Sequence, residues 1–243
     1  CSYPDVATSR ALAWKNLLFI RHSPTFGGMT GLLYLLVGWN ILGSLRGFQI
    51  GGFGATLEET LLAALSSASA FTTIVVALLG FFIFTDTHKT WYRFAGGLAH
   101  ACAHLGAAIA IGWLMSQVAI ALAWPFGGLR HLAATLIALF LGGWIFGALI
   151  MGCYLLISIN LFGRHYNEAF SGLCLQDYKQ FLRIVVGPDG DLTIYPIGID
   201  RVPRRWREVP DAPRDQARFV PADDDAQSRP RLIEAPIVVK ASA

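Results

Sequence analysis

The chain has 243 residues, of which 54% are hydrophobic and only 14% charged, whereas a water-soluble domain carries about 25% charged residues. That composition excludes an ordinary soluble fold. The net charge of +3 is modest, and the bases of the first part sit beside apolar spans instead of clustering with aromatics, so nucleic-acid binding is not indicated.

The charge is unevenly divided. Residues 1–163 hold 7 of the 19 Lys and Arg and 4 of the 16 Asp and Glu, so an apolar part is followed by a polar one. The chain opens on Cys1, from which a preceding segment is expected, either a larger N-terminal region or a lipoprotein signal peptide. Cys1, Cys102, Cys153 and Cys174 lie far apart without Cys-x-x-Cys spacing, so neither a disulfide framework nor a zinc knuckle is predicted.

Residues 5–22 mix an apolar stripe (Ala11, Leu12, Leu18, Phe19) with Arg10, Lys15 and Arg21. They read either as a helix lying against a membrane or as a solvated lead-in. Four segments then have roughly the 20 apolar residues that a helix needs to cross a bilayer: Met29–Leu45, Leu61–Phe84 with Thr56, Glu58 and Glu59 before it, Phe94–Trp124, and His131–Phe162. Lys and Arg concentrate before the first, after the second and after the fourth, which predicts both ends on the cytoplasmic side. Trp91, Tyr92 and Trp124 suit the interfacial aromatic belt.

Beyond Phe162 the runs shorten and alternate. Phe181–Val186 and Leu192–Ile197 flank the turn-forming Gly187-Pro-Asp-Gly-Asp191, the pattern of a β-hairpin. Pro196 lacks a ladder donor and predicts an edge or a bulge in the second strand. Residues 208–230 are too polar to repay ordering and are expected as a flexible tail, with Ile237–Val239 as a further strand.

The predicted architecture is thus a mainly α, polytopic membrane protein with about four transmembrane helices. Residues 1–28 form an interfacial segment and 29–163 the transmembrane domain. Residues 164–207 form a small β-rich cytoplasmic domain, and 208–243 a mostly flexible tail.

Three sets of residues attract attention. His100-Ala-Cys-Ala-His104 puts two imidazoles on one helix face, near Asp86 and His88, a geometry open to a metal ion. The competing reading is that these histidines bond the hydroxyls of Ser66, Ser67, Ser69, Thr72 or Thr73 on a neighbouring helix. Gly143-x-x-x-Gly147 allows close helix approach, within the bundle or in a homo-oligomer. Arg201, Arg204, Arg205 and Arg207 either touch anionic lipid headgroups or form a solvated face balanced by Asp200, Glu208 and Asp211. No phosphate loop, nucleophile elbow or zincin motif is present.

The words Tyr3-Pro-Asp-Val-Ala-Thr-Ser-Arg10, Asn16-Leu-Leu-Phe19, Asn167-Glu-Ala-Phe170, Asp177-Tyr-Lys-Gln-Phe-Leu-Arg183, Leu192-Thr-Ile-Tyr-Pro-Ile197 and Val202-Pro-Arg-Arg-Trp206 resemble the C-terminal region of bacterial calcineurin-like metallophosphoesterases. In those proteins a soluble hydrolase domain precedes a multi-span membrane region with a β-rich tail. The resemblance implies a phosphoesterase domain upstream of Cys1, holding two divalent metal ions that clamp the phosphoester and supply a metal-bound hydroxide. It also implies a bacterial inner-membrane location. Of the family's metal motifs, Asp86-Thr-His88 and Gly190-Asp191 match only as isolated words, and Gly-Asn-His and Gly-His-x-His are absent. No catalytic residue or cofactor is therefore assigned to this chain. The alternative expectation is a stand-alone transmembrane metal or haem carrier built on His100 and His104.

Overall fold

The computed structural model describes residues 2–42, 52–85, 89–211, 213–223 and 225–241. The chain divides into two compact units, one formed by residues 14–173 and the other by residues 1–13 together with 174–243.

The unit spanning residues 14–173 is helical. A 3-10 turn over Trp14–Leu18 and a short helix, Phe19–His22, lead into a longer one, Pro24–Leu42; with the helix Val6–Ala13 of the other unit these are α1 (Val6–Ala13), α2 (Phe19–His22) and α3 (Pro24–Leu42). Then come α4 (Phe53–Ser66), α5 (Ala68–Phe84), α6 (Thr90–Ala121) and α7 (Leu129–Ile157). Next to α7 a wide turn continues over Ser158–Phe162 and ends on Gly163, whose φ of +63° only glycine adopts freely. The short α8 (Tyr166–Gly172) closes the unit.

Two helices, Thr90–Ala121 and Leu129–Phe162, are long and apolar enough to cross a membrane, and a third span is reached if the bent pair α4–α5 counts as one. The predicted span Leu61–Phe84 is thus corrected. Ser67 is extended and its hydroxyl caps α5 by accepting from Ala70 N, so the run breaks into two helices at 101°. The predicted Met29–Leu45 begins five residues earlier, at Pro24, and its last three residues lie outside the described part.

Small residues set the packing between α3 and α7. A Cβ on Gly143 would meet Tyr34 at 2.6 Å, one on Gly147 would meet Thr30 at 2.8 Å, and one on Gly38 would meet Leu139 at 2.3 Å. Numbers rise along α3 as they fall along α7, so the two run antiparallel with backbones in near contact. Thr30 Oγ1 donates to the carbonyls of Gly27 (2.9 Å) and Gly143 (3.0 Å) across this seam. Gly143-x-x-x-Gly147 thus serves packing within the chain.

The second unit is built on the hairpin of β1 (Lys179–Val186) and β2 (Leu192–Ile199), paired in unbroken register from Lys179–Ile199 to Val186–Leu192. The short strands β3 (Trp206–Glu208) and β4 (Phe219–Pro221) pair with each other; β5 (Arg231–Leu232) and β6 (Ile237–Val239) both pair with β2. Strand β2 is therefore internal, contrary to the edge position that Pro196 predicts, and it carries no bulge. The reason is local. The carbonyl of Pro196 accepts from Ile233 N, so its ring nitrogen faces the same way, into the gap between β5 and β6 where no donor is called for.

Among the described residues of 208–230, β4 pairs with β3, and a 3-10 turn at Ala226–Ser228 and ion pairs form where a flexible tail is expected from composition. Arg218 pairs with Glu208 at 2.7 Å and Arg205 is bidentate on Asp223. The charges that lower the hydrophobic content are used against each other. Residues 2–5 also belong here: Tyr3 OH donates to Asp200 at 3.0 Å, Arg231 pairs with Asp200 at 2.9 Å, and Tyr3 meets Tyr178 edge to face. Burial and the bond to Asp200 push the Tyr3 hydroxyl up to about 12, and the Arg231 guanidinium holds the Asp200 carboxyl below its usual range.

Candidate functional site

In the helical unit many apolar side chains are exposed and several polar ones are buried among aliphatic residues such as Leu139 and Leu155. Leu33, Leu65, Ile83 and Leu129 are exposed, whereas Thr30, Thr60, His100, His104, Ser116, Thr135 and Ser158 are buried. Most of the buried hydroxyls satisfy themselves on their own helix, as Thr60 does on Thr56 O at 2.7 Å and Ser116 on Gly112 O at 3.1 Å. The histidines of α6 cannot do that, and they converge with side chains from three other helices.

His104 Nδ1 meets Tyr34 OH of α3 at 3.0 Å, and His104 Nε2 meets His100 Nε2 at 3.1 Å. The two rings lie among aromatic faces: Phe81 of α5 stacks on His104 with centroids 5.0 Å apart, and Tyr154 of α7 stacks on His100 at 4.3 Å. Tyr154 OH extends the array, donating to Thr85 Oγ1 at 3.3 Å and meeting His165 Nε2 at 3.1 Å. His165, left-handed at φ +58°, stacks flat on Phe84, and its Nδ1 faces Glu168 Oε2 at 3.6 Å. Burial pulls the His165 imidazole below its ordinary value, against an opposing upward pull from Glu168.

The array has a definite proton count. If Tyr34 donates to His104 Nδ1, His104 carries its hydrogen on Nε2 and donates it to His100 Nε2, leaving the hydrogen of His100 on Nδ1. In the opposite polarity His100 Nδ1 is a bare lone pair. Either way that atom, on a residue 2% exposed, is without a partner among the described residues.

Of the four residues expected to gather round a metal, the structure brings His100 and His104 together, while Asp86 and His88 lie outside the described residues. Two imidazole nitrogens 3.1 Å apart can share one proton or bracket one ion, because bonds of about 2.0–2.1 Å to a common metal span a similar gap. No group of three His, Cys, Asp or Glu that could hold a metal occurs among the described residues. The described partners of the pair are Tyr34, Phe81, Phe84 and Tyr154, not the serines and threonines expected from sequence. Tyr34, Tyr154 and His165 are the members that sequence reasoning passed over. The available signal was the phenol itself, a polar group at the middle of an otherwise aliphatic run.

In the second unit the basic run faces carboxylates. Arg201 pairs with Asp225 at 3.3 Å, Arg204 with Asp177 at 3.5 Å and Arg205 with Asp223; the three arginines, Asp223, Asp225 and Ser228 line a cavity of about 440 Å³. Arg207 sits on β3 opposite Val220. Gly190-Asp191 is a turn, with Gly190 at φ +81° and Asp191 paired to Lys240.

Searches of family models, of curated proteins and of solved structures find no match to this chain.

Proposed function

We propose that this chain is the membrane-embedded and C-terminal portion of a metallophosphoesterase-like protein, tethering a phosphoester-cleaving domain to the cytoplasmic face of a bacterial inner membrane. The reading rests on the sequence words that resemble that family. The structural observation that carries it is the joining of Tyr3 to Asp200 and Arg231, which brings the segment before the helical region and the segment after it into one compact unit. A domain attached ahead of Tyr3 would be held beside the β-rich unit, at one membrane face. In this role the chain positions; hydrolysis and both metal ions belong to the upstream domain.

The same joining bears on topology. Two segments packed in one unit lie on one side of a bilayer, so the crossings between them are even in number. With α6 and α7 crossing, a bent span at α4–α5 requires a fourth crossing. Helix α3 suits it: 19 residues rise about 28 Å, antiparallel along α7. This supports four spans with both segments on the same side of the membrane.

The test is hydrolysis of bis-p-nitrophenyl phosphate with manganese, measured on this chain and on the natural protein with its upstream sequence. Activity in the longer form alone is expected. Activity residing wholly in this chain, or an upstream reading frame without Asp-x-His and Gly-Asn-His motifs, overturns the proposal. A second reading, a transmembrane metal carrier, has the facing Nε2 atoms of His100 and His104 in its favour. Stoichiometric metal in the detergent-purified protein, lost in His100→Ala, would establish it.

A further inference from the structure

Hydrogen-bond parity in the hairpin decides which backbone groups of β1 are in use. Gly187 N donates to Asp191 O, one step beyond the pair Val186–Leu192, so Val185, Arg183, Phe181 and Lys179, at every second position before Gly187, turn their N–H and C=O toward β2. The bond from Ile233 N to Pro196 O agrees, since it turns Pro196, opposite Leu182, away from β1. Gln180, Leu182, Ile184 and Val186 therefore present their N–H and C=O outward, along the edge of the sheet. Among the described residues β1 pairs only with β2, and no hydrogen bond reaches these outward groups.

Folded chains seldom leave such an edge open; they shorten it, bulge it, place a proline in it or charge it. Strand β1 is eight residues long, in unbroken register and without proline, and all eight residues are exposed. Its charges are Lys179 at one end, bonded to Leu175 O, and Arg183 near the middle. Outward donors and acceptors alternating along an extended backbone are complementary to another extended strand.

We infer that this edge pairs with β1 of a second copy of the chain, antiparallel and centred on Leu182. What selects a second copy is the complementarity of β1 with itself. Outward residues pair only with outward residues, so a two-fold axis passes through a residue and never between two. Centring on Arg183 opposes Arg183 to its own counterpart, and centring on Phe181 opposes it to Lys179; both set like charges together. Centring on Leu182 opposes each Arg183 to Phe181 of the other copy, a cation beside an aromatic ring, and sets Leu182 against Leu182 on the other face. That register also pairs residues 179–185 of each copy, and centres nearer the strand's ends overlap less. The pairing is isologous and uses the edge up, leaving only the two-residue β5 and three-residue β6 at the outer margins, so assembly stops at two copies. About seven residues a side, against the roughly 20–30 of a standard interface, make a reversible dimer. The inference is independent of the proposed phosphoesterase role, since it rests on β1 alone.

The experiment follows the full chain in detergent micelles by sedimentation equilibrium over a range of protein concentrations, beside Leu182→Pro. Proline there removes an outward N–H and leaves the β1–β2 ladder whole, as edge strands tolerate. The expected result is a concentration-dependent dimer for the natural sequence and a monomer for Leu182→Pro. A natural chain that stays monomeric throughout overturns the inference, and so does a dimer that a folded Leu182→Pro leaves intact. Cross-linking decides independently of how that variant folds. With the four native cysteines replaced by serine, Leu182→Cys lies about 5.5 Å from its counterpart, within disulfide reach, whereas Gln180→Cys lies about 14 Å from its own. Several-fold more disulfide dimer is expected on mild oxidation of Leu182→Cys than of Gln180→Cys. Equal yields, or no dimer from either, count against the pairing, the outcome expected if the edge takes a different protein's strand or none.

Discussion

The two units solve the problem of polar groups in opposite ways. In the helical unit several polar side chains turn inward and meet one another, as Tyr34, His104, His100, Tyr154 and His165 do, while many leucines and isoleucines face outward. In the β-rich unit the charges face outward and pair in solvent, as Arg205–Asp223 and Arg218–Glu208 do. The surrounding medium explains the contrast. In hydrocarbon an unpaired polar group has nowhere to go, so few and buried contacts carry specificity. In water each exposed ion pair is worth little, so many are needed to hold a polar segment.

The largest test of this contrast lies in the helical seam. A Cβ on Gly152 would stand 2.0 Å from the carbonyl oxygen of Asn16, which is backbone and cannot step aside. Gly152→Ala is expected to cost about 3 kcal/mol through overpacking, read from unfolding in mixed detergent micelles. Gly106→Ala, with nothing within 4 Å of the added carbon, should be neutral or gain up to about 1 kcal/mol from helix propensity.

A smaller effect is expected from Tyr34→Phe, which removes the donor facing His104 at 3.0 Å and should cost about 1 kcal/mol, the range found for hydrogen bonds between membrane helices. Below that comes the pH response of His165. Its folded imidazole binds a proton less readily than the unfolded one, so its contribution is complete above the ordinary histidine value of about 6.5 and is lost as the pH falls below it. Unfolding midpoints followed from pH 8 to pH 5 should decline, and His165→Gln should flatten the decline. A profile that rises on acidification would show that Glu168 outweighs burial.

The smallest change belongs to the polar unit. Asp200→Asn weakens the contacts to Arg231 and Tyr3 and should cost less than about 1 kcal/mol, as exposed pairs do, yet it should speed tryptic cleavage at Arg10 by loosening the segment that Tyr3 holds. Unchanged cleavage would mean that the ring contact with Tyr178 suffices.

Much of this division could be read from the residues. Apolar runs fixed α6 and α7 to within a few positions, and the alternation of Phe181–Val186 and Leu192–Ile197 around a glycine-rich turn located the hairpin. Less was visible where one residue redirected the chain: nothing in the run from Leu61 announces that Ser67 turns extended, because serine is tolerated inside helices as often as it caps them. The ion pairs of residues 205–223 were hidden for another reason, since composition counts charges without saying which will face each other. Within the candidate site, His100 and His104 were found by their spacing of four, whereas Tyr34 and Tyr154 join them from helices 70 and 54 residues away from His104 and His100, a proximity that only tertiary packing creates.

The bond between Tyr3 and Asp200 joins residues 197 positions apart, and this bears on biogenesis. At a synthesis rate of 5–20 residues per second the first segment waits roughly 10–40 s for its partner to leave the ribosome. Throughout that interval the helices between them are being made while the N-terminal stretch stays unclasped. Closure of the clasp thus comes last, after the intervening helices have been made, and a chain that left the two segments on opposite sides of a membrane would never close it.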